Sequence, residues 1–140
     1  MATRADCDLR TALTVTRTVE TGQTVALGRV VKDGNADHEV QHSADGVDAI
    51  GVIVALDKLA GAAGDKVSMC FLAGNAIVKV KVGTGGATRG KKAKCVADGV
   101  TDAVISEATP TPVQTVGFFT QSGVAGDLVG MVPLAGYATE

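Results

Sequence analysis

The segment AGDKVSMCFLAG at residues 63–74 returns as AGDLVGMVPLAG at 125–136. Eight of the twelve positions are identical, at a constant offset of 62. Upstream, Ile50-Gly51-Val52-Ile53 answers Val116-Gly117-Phe118-Phe119, and the loop that follows is four residues shorter in the second copy. Further back, Thr21-Gly22 and Gly28 answer Thr84-Gly85 and Gly90, and Asp33-Gly34 answers Asp98-Gly99 after a small insertion. A second register, ADGVDA at 44–49 against ADGVTDA at 97–103, competes there, so the C-terminal part of each copy anchors the alignment. The chain reads as a duplication, with halves at about 13–74 and 75–136.

Composition says what each half is made of. The 140 residues include 21 Val, 15 Thr and 4 Ile, against 8 Leu, 3 Met and only 4 aromatic residues. Branching at Cβ restricts χ1 and suits a pleated strand better than a helix. The expectation is an all-β protein. In the first copy Thr11–Val19, Thr24–Lys32, Ile50–Leu56 and Lys66–Leu72 read as strands. In the second, Ala76–Val82, Lys92–Ala97, Ala103–Ser106, Thr115–Thr120 and Asp127–Pro133 do. Within IVKVKV, alternation with period two places Val78, Val80 and Val82 on one face and leaves Ile77 out of phase. Asp-Gly pairs at 33–34, 45–46 and 98–99 offer the positive-φ positions of tight turns. A half with so few large side chains does not easily bury a core alone. Two halves closing one small β-barrel or jelly-roll-like sandwich would solve this and would also remove sheet edges. Residues 1–12 fall outside the repeat, are polar, and read as an extended N-terminal arm before a single β-domain, 13–140.

Several functional classes conflict with this sequence. No apolar run reaches the roughly 18 residues of a membrane-spanning helix, so no membrane partner is expected. MATRADCDLR carries charges where a secretory leader needs its apolar stretch. Cys7, Cys70 and Cys95 are odd in number, lack metal-type spacing and read as reduced thiols of a protein made in the cytoplasm. A net charge of −2 gives no whole-protein attraction to nucleic acid, and no aromatic residue interleaves with RGKKAK to stack on bases. Charge is nonetheless segregated. Lys66 to Ala97 holds seven basic residues and no acid, whereas Asp98 to Glu140 holds five acids and no base. Such a pattern pairs strands within a domain or one subunit with the next.

Two stretches spell catalytic motifs without their context. His38-Glu39-Val40-Gln41-His42 matches the zinc-protease signature, which needs a helix to bring residues i and i+4 to one metal. Here it lies between DGNAD and SADG, and in a strand His38, Val40 and His42 would merely share a face. Gly85 to Lys91 fits G-x-x-x-x-G-K, but Lys92 stands where a magnesium-binding Ser or Thr belongs, and no long helix follows. The serines have only two clustered histidines to activate them. Asp65 and Asp127 sit in AGD turns, where a carboxylate first of all bonds its own backbone. No catalytic residue, cofactor or metal site is expected.

The layout of an IGV or VGF strand, an Ala/Gly-rich loop and a GD-x-V strand, given twice, resembles tailed-phage capsid decoration (cement, head-stabilising) proteins. The matching pieces are 50–74 and 116–136, with VALGRVV at 25–31 and GTGGATRG at 83–90 also similar. The resemblance implies a structural virion protein on the outer surface of an icosahedral capsid, locking neighbouring major capsid subunits together. It also implies self-association, with a homodimer placed ahead of a homotrimer. The capsid interface expected on this basis comprises Arg4, Leu9 and Arg10 of the arm and Arg89, Lys91 and Lys92 of the basic stretch. An arm that orders on binding can bridge subunits, and many modest contacts sum through multivalency. The alternatives are a lipoyl- or biotinyl-type carrier domain modified at Lys58, another β binding domain, and a zinc hydrolase built on HEVQH.

Overall fold

Residues 14–56, 62–74, 76–103 and 112–139 are described by the structure, a computed structural model. They form strands and no helix. The first repeat contributes β1 (Thr14–Val19), β2 (Val30–Asp33), β3 (Glu39–His42), β4 (Ala49–Leu56) and β5 (Lys66–Phe71). The second contributes β6 (Val78–Lys81), β7 (Lys92–Val96), β8 (Gly99–Asp102), β9 (Pro112–Phe119) and β10 (Leu128–Thr139).

The first five strands close into a barrel in the order β1-β3-β2-β4-β5, with β1 antiparallel to β5 and parallel to β3. The second five form a sheet in the matching order, β6-β10-β9-β7-β8. A parallel bridge between Val82 and Val100 stands where β1 and β3 pair in the first half. The duplication extends to individual hydrogen bonds. The Val19 amide donates to the Asp65 carbonyl at 2.9 Å, and Val82 donates to Asp127 at 2.8 Å. Gly28 donates to Ile53 at 2.9 Å, and Gly90 donates to Phe119 at 2.8 Å.

Both interiors use the same positions. Val19, Val25, Val31, Val40, Ile53, Val67 and Met69 fill the first barrel. Their counterparts Val82, Ala87, Ala93, Val100, Phe119, Val129 and Met131 fill the second half. Phe119 is larger than Ile53 while Ala87 and Ala93 are smaller than the valines they answer, a redistribution of volume that close packing tolerates. Of the expected small barrel or sandwich built from two repeated halves, the first half closes the barrel around its own side chains and the second half supplies the second sheet. The halves remain coupled, because Val30, Val52 and Cys70 of the first belong to the apolar cluster of the second. In the second half the β6–β8 closure is a single bridge, and the first half lies alongside it. The Lys81 amide donates to the Gly28 carbonyl at 3.0 Å, and the Gly46 backbone backs onto Cys95.

Other departures have local causes. The segment 24–32 is not one strand, because Leu27-Gly28 makes a turn with Gly28 at φ 76°, and β2 starts only at Val30. A Cβ on Gly28 would lie 2.9 Å from the Lys81 nitrogen. The hairpin after β7 turns within Ala97-Asp98, so β8 begins at Gly99 rather than Ala103. Gly34 does not take up positive φ; His38 does, at 65°, in a longer loop. Register places Asp33 opposite Val40 and Cys95 opposite Val100, so Asp33 answers Cys95 and the proposed match of the two Asp-Gly pairs fails. The competing 44–49 against 97–103 register fails too, since the former is largely a loop and the latter mostly β8. As anticipated, Val78, Val80 and Val82 all point inward and are fully buried. The expected arm lies outside the described residues.

Candidate functional site

Both catalytic look-alikes are built into the scaffold. Glu39–His42 is strand β3, with Val40 buried in the barrel. His38 precedes the strand in an exposed loop, so it does not share the strand face with Val40 and His42 as expected. His42 is half-buried and its Nε2 faces an Arg29 guanidinium nitrogen, whose second partner is the Ala97 carbonyl at 2.8 Å. Arginine only donates, so that imidazole nitrogen accepts and the ring is neutral. Burial first, and the Arg29 charge second, push the His42 pKa below its ordinary 6.5. Among the described residues no three His, Cys, Asp or Glu side chains cluster as a metal site would require.

In GTGGATRG, amides that a phosphate loop would aim at its ligand bond the protein's own carboxylates. The Thr84 amide donates to Asp98 at 3.0 Å, and the Thr84 hydroxyl does so at 2.7 Å. Thr88 repeats the pattern with Asp102, at 2.8 Å from its amide and 2.6 Å from its hydroxyl. The Thr84 hydrogen bonds hold the Asp98 carboxyl below its usual range. The AGD turns behave likewise: Asp65 accepts from the Ala62 amide and Asp127 from the Val124 amide, each at 3.0 Å. The Cys95 thiol is pushed up to about 12, chiefly by burial.

Arg89 and Lys91 lie in the exposed loop before β7, and Lys92 opens that strand. Arg89 is held through its amide, which donates to the Ser122 hydroxyl at 3.0 Å. Lys92 Nζ donates to the Tyr137 carbonyl at 3.1 Å and lines a groove of about 100 Å³ with Thr115, Gly117, Phe118, Leu134, Ala135 and Gly136. Arg4, Leu9, Arg10 and Lys58 lie outside the described residues.

An apolar face around Lys92 escaped the sequence reading. Phe118 is 40% exposed, Leu134 47% and Tyr137 68%. Register identifies its counterpart in the first half. Val30 pairs Val52, which pairs Cys70; Lys92 pairs Phe118, which pairs Val132. The first trio is buried against the second half, whereas the second trio faces outward. The available signal was VGFF against IGVI: two consecutive phenylalanines in a strand point to opposite faces, and one barrel interior accepts only one.

The architecture recurs in a known structure. The crystal structure of the head fiber gp8.5 N base in bacteriophage phi29 matches with a TM-score of 0.62 and 17% sequence identity, covering 86% of this chain and 94% of that one. At that identity the shared feature is the fold. No protein-family model matches the chain, and no curated protein does.

Proposed function

We propose that this protein is a structural component of a phage virion that binds the outside of the assembled icosahedral capsid and cements neighbouring major capsid subunits. The observation that carries this reading is the fold shared with the base of a phage head fiber over most of both chains. The described residues suit a scaffold for docking. The carboxylates of both AGD turns brace those turns, those of Asp98 and Asp102 brace the 83–91 loop, and the groove beside Lys92 is shallow and bordered by exposed side chains. On this reading the protein is not an enzyme and needs no cofactor. Its shell contacts come from the arm, through Arg4, Leu9 and Arg10, and from Arg89, Lys91 and Lys92, which present positive charge to an acidic capsid surface.

Co-sedimentation with assembled shells of the cognate major capsid protein tests this. Saturable binding at a fixed ratio per capsid subunit is expected. Deleting residues 2–10, or replacing Arg89, Lys91 and Lys92 with glutamate, should weaken it at least tenfold while the circular dichroism stays that of the parent. Shells that pellet without the folded protein would sink the proposal.

A further inference from the structure

The first half departs from the second at one end of its barrel, and in three ways. Arg17 pairs Val67 between β1 and β5, and Val80 pairs Val129 at the same point between β6 and β10, so an arginine stands where the duplicate buries a valine. Residues paired across a ladder share a face, so Arg17 lies on the barrel side with the buried Val67. Asp33 answers the buried Cys95 through the matching pairs Asp33↔Val40 and Cys95↔Val100. The third difference is a connection: Ala97-Asp98 joins β7 to β8, whereas the longer loop Gly34–His38 joins β2 to β3. All three meet in space. Arg17, Asp33 and the 34–38 loop line one pocket of about 310 Å³ at the end of the barrel.

The pocket is held in shape by the fold. The Thr18 amide donates to the His38 carbonyl at 2.7 Å, and the buried Glu20 carboxylate accepts from the Asn35 amide at 2.7 Å. Arg17 is its costly member. The Nε is buried and has no hydrogen-bond partner among the described residues, a state that folded proteins seldom keep without a use. The lining also selects the ligand. Among the described residues no three His, Cys, Asp or Glu side chains come together to hold a metal. An anion drawn by Arg17 meets the Asp33 and Asp37 carboxylates, and a cation drawn by those carboxylates meets Arg17. A neutral molecule dense in hydroxyl groups suits both, because a hydroxyl accepts from a guanidinium and donates to a carboxylate. The volume is at the lower end of small-molecule sites, for which barrel mouths are a favoured place. We propose that the first barrel binds a saccharide ring in this pocket, with Arg17 donating and Asp33 and Asp37 accepting. None of the residues assigned to the shell takes part, so the inference is independent of the capsid proposal.

Titration of the full, 15N-labelled chain with glucose, galactose, mannose and N-acetylglucosamine, followed by amide chemical shifts, tests it. At least one sugar should give saturable shifts at tens of millimolar, centred on the amides of residues 34–38. Arg17→Val, which installs the residue used by the second half, should abolish those shifts and raise the urea midpoint, because it removes the unpaired donor. Asp37→Ala, on the exposed loop, should leave the midpoint unchanged and weaken binding at least tenfold. No shift with any of the four sugars overturns the inference, and so does sugar binding that survives both substitutions. Sodium acetate is the contrasting probe: if it moves these amides and the sugars do not, the pocket takes an anion and the inference fails. Shell binding lost in Arg17→Val, without sugar binding by the parent, would make the pocket a capsid contact and would likewise overturn it. Sugar binding by a chain that never pellets with shells keeps the inference and removes the capsid proposal.

Discussion

Gly117 and Gly51 sit at equivalent points where one strand passes over a methionine. A Cβ on Gly51 would lie 2.5 Å from the Cys70 carbonyl and 2.6 Å from Met69 Cγ, and one on Gly117 would collide with the Val132 carbonyl and crowd Met131. Neither glycine needs positive φ; what each supplies is the missing methyl. Gly117→Ala should therefore cost ~1–3 kcal/mol through overpacking, read as a lower urea midpoint with unchanged slope. His42 carries a second residue-level consequence. Its pKa is depressed in the folded protein by burial and by Arg29, so below the ordinary 6.5 the unfolded chain binds the proton more readily. Stability contributed by the neutral ring is present above 6.5 and is lost as pH falls through the folded value. The unfolding midpoint should drop on acidification, and His42→Gln should flatten that drop. An identical slope in both proteins would remove His42 as its cause.

At the scale of elements, the turns carry specificity that the strands lack. Asp127 caps the turn before β10 through the Val124 amide, so Asp127→Ala should cost about 1 kcal/mol. Asp127→Asn, which keeps an acceptor oxygen, should recover part of that in the same denaturation series. The AGD turns and the β4, β5, β6 and β9 segments were legible because alternation, Gly and Asp act locally. The run of β10 to Thr139 was not, because Pro133 reads as a terminator, whereas the ladder to β9 resumes at Gly136 after a register shift. Nor was β2, where Leu27-Gly28 turns amid residues that otherwise suit a strand, so that Gly28 can accept from Lys81 of the other half. That hydrogen bond is long-range, and nothing near Gly28 in the chain announces it. The candidate face was hidden for the same reason. Lys92 was visible as charge, but Phe118, Leu134 and Tyr137 join it only through pairings across β7, β9 and β10.

For the whole molecule, duplication without equivalence sets the order of dependence. The first barrel encloses only its own side chains, whereas the apolar cluster of the second half takes in Val30, Val52 and Cys70 from the first. Val52 thus belongs by sequence to one half and by packing to the other. Val52→Ala removes two buried methyl groups, worth ~2 kcal/mol with the cavity they leave. If the halves unfold as one cooperative unit, this loss should lower a single transition reported alike by far-ultraviolet circular dichroism and by exposure of the buried Cys70 and Cys95 to a thiol reagent. If the shared cluster were incidental, the transitions would separate, with Cys95 in the second half becoming reactive before Cys70 at the seam. Coincident curves shifted by the same amount are the expected result, because a second-half core completed by first-half valines has no folded state of its own to populate.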